Sequence, residues 1–209
     1  MSLSIKVDVE ALRDAVSSIH GAADVFDRSL ARGINAVAAK ALTQGRRAVT
    51  SQVNLTAAYV RDRTTLAKAT ANNPVAVIKA RERSTTLARM KPQQLTAPAP
   101  AAKGDPRRGI AAGRKQAGVS VHVKRANGRK RMPGAFMLPL RAGSTSGGNG
   151  MGIFTRTGKR PGDIEHKYTR SVSAWFRDGL DDLADFTASE LDTAVLRQLD
   201  YEIRKALKL

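Results

Sequence analysis

At 209 residues the chain is long enough for one domain with a single modest core, and with hydrophobic residues at 42% and aromatics at 4% that core must come mostly from Ala, Val, Leu and Ile. The absence of cysteine excludes disulfides, thiolate metal sites and cysteine nucleophiles, and no apolar run approaches the roughly 18 residues of a bilayer span. The formal net charge of +18 is concentrated: residues 61–170 hold 24 Lys and Arg against 5 Asp and Glu, whereas residues 171–209 hold 5 against 8. Such a field seeks an anionic partner, whether nucleic acid, an acidic protein surface or lipid headgroups.

The opening twenty residues carry Asp8, Glu10 and Asp14 where a secretory leader needs a basic start and an apolar run, so a chain that stays inside the producing cell is expected. Val9, Leu12, Val16 and Ile19 recur at three- and four-residue intervals and predict a short amphipathic helix over 7–19. A longer helix is expected from about Ala22 to Thr50, where Phe26, Leu30, Ile34, Val37 and Ala41 keep the helical interval and the Ala-rich AVAAKAL permits close packing. From Arg61 the period changes. RTTLAKAT and VAVIKAR flank the breaker ANNP and read as a β-hairpin, and STTLARM as a short helix or irregular turn.

Residues 92–118, rich in Pro, Ala, Gly and cations, read as a flexible basic arm. VSVHVKR at 119–125 alternates as a strand and is followed by the turn signal ANGRKR. AFMLPL and MGIF then form two apolar runs about a Gly/Ser-rich loop at 141–152, with Pro139 placing its strand near an edge. Together these predict an antiparallel sheet of four to five strands carrying a long flexible hairpin loop. EHKYTRSVSAWFRD reads as a turn and a short helix. A long C-terminal helix from Gly179 has apolar positions Leu180, Leu183, Leu191, Val195, Leu199 and Ile203, acids at its start and cations at its end. The reading is a single α+β domain over 1–209.

Signals for chemistry are weak. His20, His122 and His166 lie far apart and outside any paired metal spacing, so no metal or cofactor is expected. Asp163, Glu165 and His166 are the one acid–imidazole cluster, but no nucleophile elbow or partner carboxylate accompanies them, and no enzyme is expected. GGNGMGIF lacks GxGxxG spacing and leads into a strand rather than a phosphate-binding helix. Arg107, Arg108, Arg114, Lys115, Lys124, Arg125, Arg129, Lys130 and Arg131 form a patch fit for an anionic partner. No aromatic residue interleaves them, so base-stacking readout is not expected.

A helical start, a hairpin, GAFMLPL, a Gly-rich loop, GIFTRTGKRP and a turn into SVSAWF resemble, in this order, the phage minor tail protein Z family. Gly134, Ala135 and Phe136, then Phe154 and Arg156, then Ser171 and Val172 carry the resemblance. The chain departs from it in its longer, more basic 92–118 segment and in TRSVS at the turn. The resemblance implies a structural protein that completes the head-proximal end of a phage tail, made in the host cytoplasm and assembled as a sixfold ring. Implied neighbours are tail terminator, tube or head-connector proteins, with passing contact to phage DNA and none to a membrane. Arg141, Ser144, Gly147, Gly148, Asn149 and Gly150 are then expected to dock on a neighbour, ordering on contact. The alternative is a small cytosolic protein that binds nucleic acid non-specifically through its basic centre.

Overall fold

The computed structural model describes residues 2–5, 22–140 and 150–206. The helix expected over 7–19 lies outside them, as do Arg141, Ser144, Gly147, Gly148 and Asn149 of the expected docking loop. The chain divides into two compact units: residues 1–48, 61–82 and 172–209 form the first, and residues 49–60 and 83–171 the second.

The first unit is built on two long helices, α1 (Ala22–Gln52), whose last turn enters the second unit, and α4 (Leu180–Ala206). The stripe expected on α1 is buried, with Phe26, Leu30, Ile34, Val37 and Ala41 each at most 1% exposed. It packs with Leu191 and Val195 of α4. A side-chain carbon at Gly33 would stand 2.8 Å from the Val195 Cα, so glycine is what lets the two helices approach this closely. On α4 the apolar part of the buried stripe ends after Val195: Leu199 is partly buried, the buried position beyond it is Glu202, which pairs with Arg32 of α1, and Ile203, expected inside, is 41% exposed.

The expected hairpin is present as β2 (Thr64–Ala67) and β3 (Ala76–Ala80), antiparallel. Asn35 on α1 holds its turn, donating to the Ala69 carbonyl at 2.9 Å and accepting from the Ala69 amide at 2.8 Å. The chain does not open on a helix, however. Ser2–Ile5 form β1, which pairs with β3 and makes a sheet of order β1-β3-β2. A four-residue alternation is too short to stand out, and its partner lies more than seventy positions away. The unit closes with α3 (Val172–Arg177), whose Val172, Trp175 and Phe176 are buried.

The second unit holds α2 (Ala57–Arg61), less its last residue, and eight strands in three small sheets. The α+β reading holds, but the single sheet of four to five strands does not. β5 (Gln93–Pro98), β6 (Arg114–Val121) and β7 (Lys130–Met132) form one antiparallel sheet. β8 (Phe136–Pro139), β9 (Met151–Arg156) and β10 (Ile164–His166) form another, and β4 (Ser84–Thr86) pairs with β11 (Tyr168–Ser171). The break falls at Gly134, whose φ of +77° turns the chain out of β7 so that β8 pairs with β9 instead of extending the first sheet. Pro139 sits on an edge strand as expected.

The segment read as an arm, 92–118, carries β5 and the start of β6 instead. Pro98 closes an edge strand, which tolerates a missing donor, and the link to β6 is pinned locally. Asp105 exchanges both backbone hydrogen bonds with the buried Ile110, and its carboxylate caps a 3-10 turn at Pro106–Arg108. STTLARM divides between β4 and a 3-10 turn at Leu87–Arg89, and EHKYTRS forms β10 and β11.

Candidate functional site

Of the +18, the second unit carries +16, from 19 Lys and Arg against 3 Asp and Glu. Its three acids are spent locally. Asp105 pairs with Arg108 at 3.1 Å, the Asp163 carboxylate accepts from the Arg160 amide at 3.1 Å, and Glu165 pairs with Lys167 at 2.7 Å. No carboxylate of this unit is left to offset its cations over a distance.

Of the nine cations picked out in the sequence, eight fall into two sets, and Lys124 is an exposed residue on the turn before β7. Arg108, Arg114, Arg125 and Arg129 work inside the fold. Arg114 donates to the Thr96 hydroxyl at 2.6 Å and the Thr96 carbonyl at 3.2 Å, bracing β6 against β5. Arg125 donates to the Val53 carbonyl at 3.4 Å. Arg129 spans the Ser120 hydroxyl and carbonyl, both at 3.1 Å, and reaches the Lys91 carbonyl. Lys91 has φ +46°, a conformation costly for a residue with a side chain, and the Arg129 fork holds it there. Arg107, Lys115, Lys130 and Arg131 are exposed and make no side-chain hydrogen bond or ion pair among the described residues. Within this patch they are the cations free to meet an anion.

The hairpin β8–β9 is the second feature. Its register pairs Phe136 with Phe154, Met137 with Ile153, Leu138 with Gly152 and Pro139 with Met151, and the Leu140 amide donates to the Gly150 carbonyl at 2.7 Å. Gly150, the one docking-loop residue within the described residues, is exposed there. Across this hairpin runs an aromatic ladder that the sequence reading missed. Phe136 and Phe154 stack with centroids 6.3 Å apart, Phe154 and His166 at 4.6 Å, and His166 meets Tyr168 at 4.4 Å. Register makes it: Phe154 faces Phe136 on one side and His166 on the other. The Arg156 guanidinium lies 5.7 Å from the Phe136 ring centre. The only signal in the sequence was the alternation of His166 and Tyr168, which says nothing about which strands they join.

The residues carrying the family resemblance are structural. Gly134 makes the turn, Ala135, Phe136, Ser171 and Val172 are buried, and Phe154 and Arg156 belong to the ladder.

Asp163, Glu165 and His166 do not converge on a common point. The His166 Nε2 lies 3.0 Å from the Thr86 hydroxyl, while the two acids are engaged with Arg160 and Lys167. Among the described residues no group of three or more His, Asp or Glu side chains could hold a metal ion. No helix of the described residues is long and apolar enough to cross a membrane.

Burial pushes the His166 imidazole below its ordinary range. The folded chain therefore disfavours the proton that the unfolded chain accepts near pH 6.5, and stability is lost as pH falls through about that value towards the folded one. The melting midpoint of the wild type should fall more steeply than that of His166→Gln between about pH 7 and about pH 5. Parallel curves would show that protonation of His166 leaves the fold unaffected.

A family model described as prophage minor tail protein Z matches residues 9–209, nearly the whole chain. No curated protein and no solved structure matches.

Proposed function

We propose, from the premise that this chain belongs to the prophage minor tail protein Z family, that it completes the head-proximal end of the tail and contributes to the head–tail junction as a ring of identical copies. Membership makes the protein a structural component of a phage tail, associated with the virion. Its neighbours in this reading are the tail terminator, the tube or the head-connector proteins, and catalysis has no part in it.

The observation that supports the reading is the division of charge. The second unit carries +16 with its own acids neutralised, whereas residues 171–209, which include α4, carry 8 acids against 5 cations. A chain with one strongly basic unit and one helix of acidic composition is suited to heterologous contacts between successive copies, which close into rings when the rotation allows. The cations Arg107, Lys115, Lys130 and Arg131 are also suited to passing DNA, and the Gly/Ser-rich segment at 141–152 to a neighbouring protein.

Immunogold electron microscopy tests the placement. With antibody raised to this chain and heads detached from tails, label is expected at the head-proximal end. Label elsewhere on the tail would remove the completion role while leaving tail membership intact. A second reading, non-specific nucleic-acid binding in the cytosol, is favoured by the four free cations Arg107, Lys115, Lys130 and Arg131. It requires the chain to be absent from particles and recovered with nucleic acid.

A further inference from the structure

The second unit contains a cavity of about 210 Å³ lined by Phe136, Leu138, Pro161 and Ile164 together with Arg108, Gln116 and Arg156. Its chemistry is mixed, four apolar side chains beside two guanidiniums and the Gln116 amide, which already donates to the Ala135 carbonyl at 3.1 Å. A phosphate would leave the apolar part unfilled. A nucleic-acid base would need an open aromatic face, but Phe136 is 7% exposed, with Phe154 stacked against it and Arg156 over its ring. The occupant that satisfies both parts is an aliphatic side chain with a carboxylate close by.

The same chain presents that pair. On α4, Leu196 is 54% exposed. Asp192, one turn earlier and on the same face, is exposed and makes no ion pair among the described residues. Asp200, one turn later, is engaged with Arg204 at 3.0 Å, and Ile203 continues the apolar stripe at 41% exposure. We infer that α4 of one copy docks on the β8–β9–β10 sheet of the next, with Leu196 entering the cavity and Asp192 meeting Arg156. The inference rests on the ring reading above and gives it a contact. Because α4 belongs to the first unit and the cavity to the second, the two surfaces are different, and the contact is heterologous. The charges steer and orient the helix, and the leucine supplies the apolar burial.

The chain has no cysteine, so introduced thiols report on one contact at a time. Full-length Leu196→Cys and Leu138→Cys proteins are mixed and oxidised. A covalent dimer of one copy of each is expected, well above the yield from Ala184→Cys with Leu138→Cys, because Ala184 is exposed on a different face of α4. Adding Arg156→Glu to the Leu138→Cys protein should weaken association roughly tenfold or more, since it sets two carboxylates against each other. Equal yields from the two pairs, or no dimer from either, would overturn the inference. Ile164→Cys, on the same cavity, replaces Leu138→Cys if that variant fails to fold. Gold label at the tail end without this cross-link would remove the contact and leave the tail role standing.

Discussion

Phe154→Ala is expected to destabilise the second unit by about 3 kcal/mol. The ring stacks on Phe136 at 6.3 Å and on His166 at 4.6 Å, so its removal breaks the ladder in the middle and strips one face from each neighbour. Phe154 is only half-buried, which places the loss at the lower end of the range for a phenylalanine truncation. Phe154→Leu keeps much of the apolar area and loses the stacking, and should cost about 1 kcal/mol. The readout must belong to the right unit. The single tryptophan, Trp175, lies in the first unit, so its fluorescence reports the wrong transition. Hydrogen exchange at the Lys167 amide, which donates to the Ile153 carbonyl beside the ladder, is the direct measure. Protection unchanged in Phe154→Ala would mean that the sheet is held by its backbone ladder and the rings are incidental.

In the proposed function the ladder matters through its position. It crosses the strands at whose other end the chain enters and leaves residues 141–149, so a firm base is provided for whatever those residues contact. Two apolar strands in the sequence implied a hairpin. That the hairpin is anchored by rings contributed from β10 and β11 was not implied, because register between strands decides it and local composition carries no register.

The same distinction explains what else was legible. Phe26, Leu30, Ile34, Val37 and Ala41 announce α1 through a period of 3.6, a property of the segment alone. β2 and β3 are announced by alternation around an Asn-Asn-Pro breaker, again local. β5 was lost because a Pro- and Ala-rich edge strand owes its form to its partner β6, and Gly134 divided one expected sheet into two. Among the cations the limit is sharper. Arg125 looks like Arg131 in the sequence, yet it reaches a carbonyl 72 positions away, and Arg129 reaches one 38 positions away. Which charges are free is a long-range property.

That sorting makes the final prediction specific. Replacing Arg107, Lys115, Lys130 and Arg131 together with glutamine is expected to leave stability nearly unchanged and to flatten the salt dependence of binding to duplex DNA. Each phosphate contact contributes about 0.9 to the slope of log affinity against log salt, so loss of all four removes about 3.6. Arg129→Lys is the contrasting variant. It keeps the charge but loses the fork to Ser120 and Lys91, so it should lower stability by about 2 kcal/mol with the slope unchanged. If the quadruple variant keeps the wild-type slope, these cations do not face the polyanion and DNA contact must be sought elsewhere on the chain. The absolute affinity then separates the two functional readings. A tail component that DNA only passes needs no more than the weak non-specific binding of about 10⁻⁴ to 10⁻⁶ M at physiological salt, whereas a cytosolic coat protein must hold DNA more tightly than that without help from a ring.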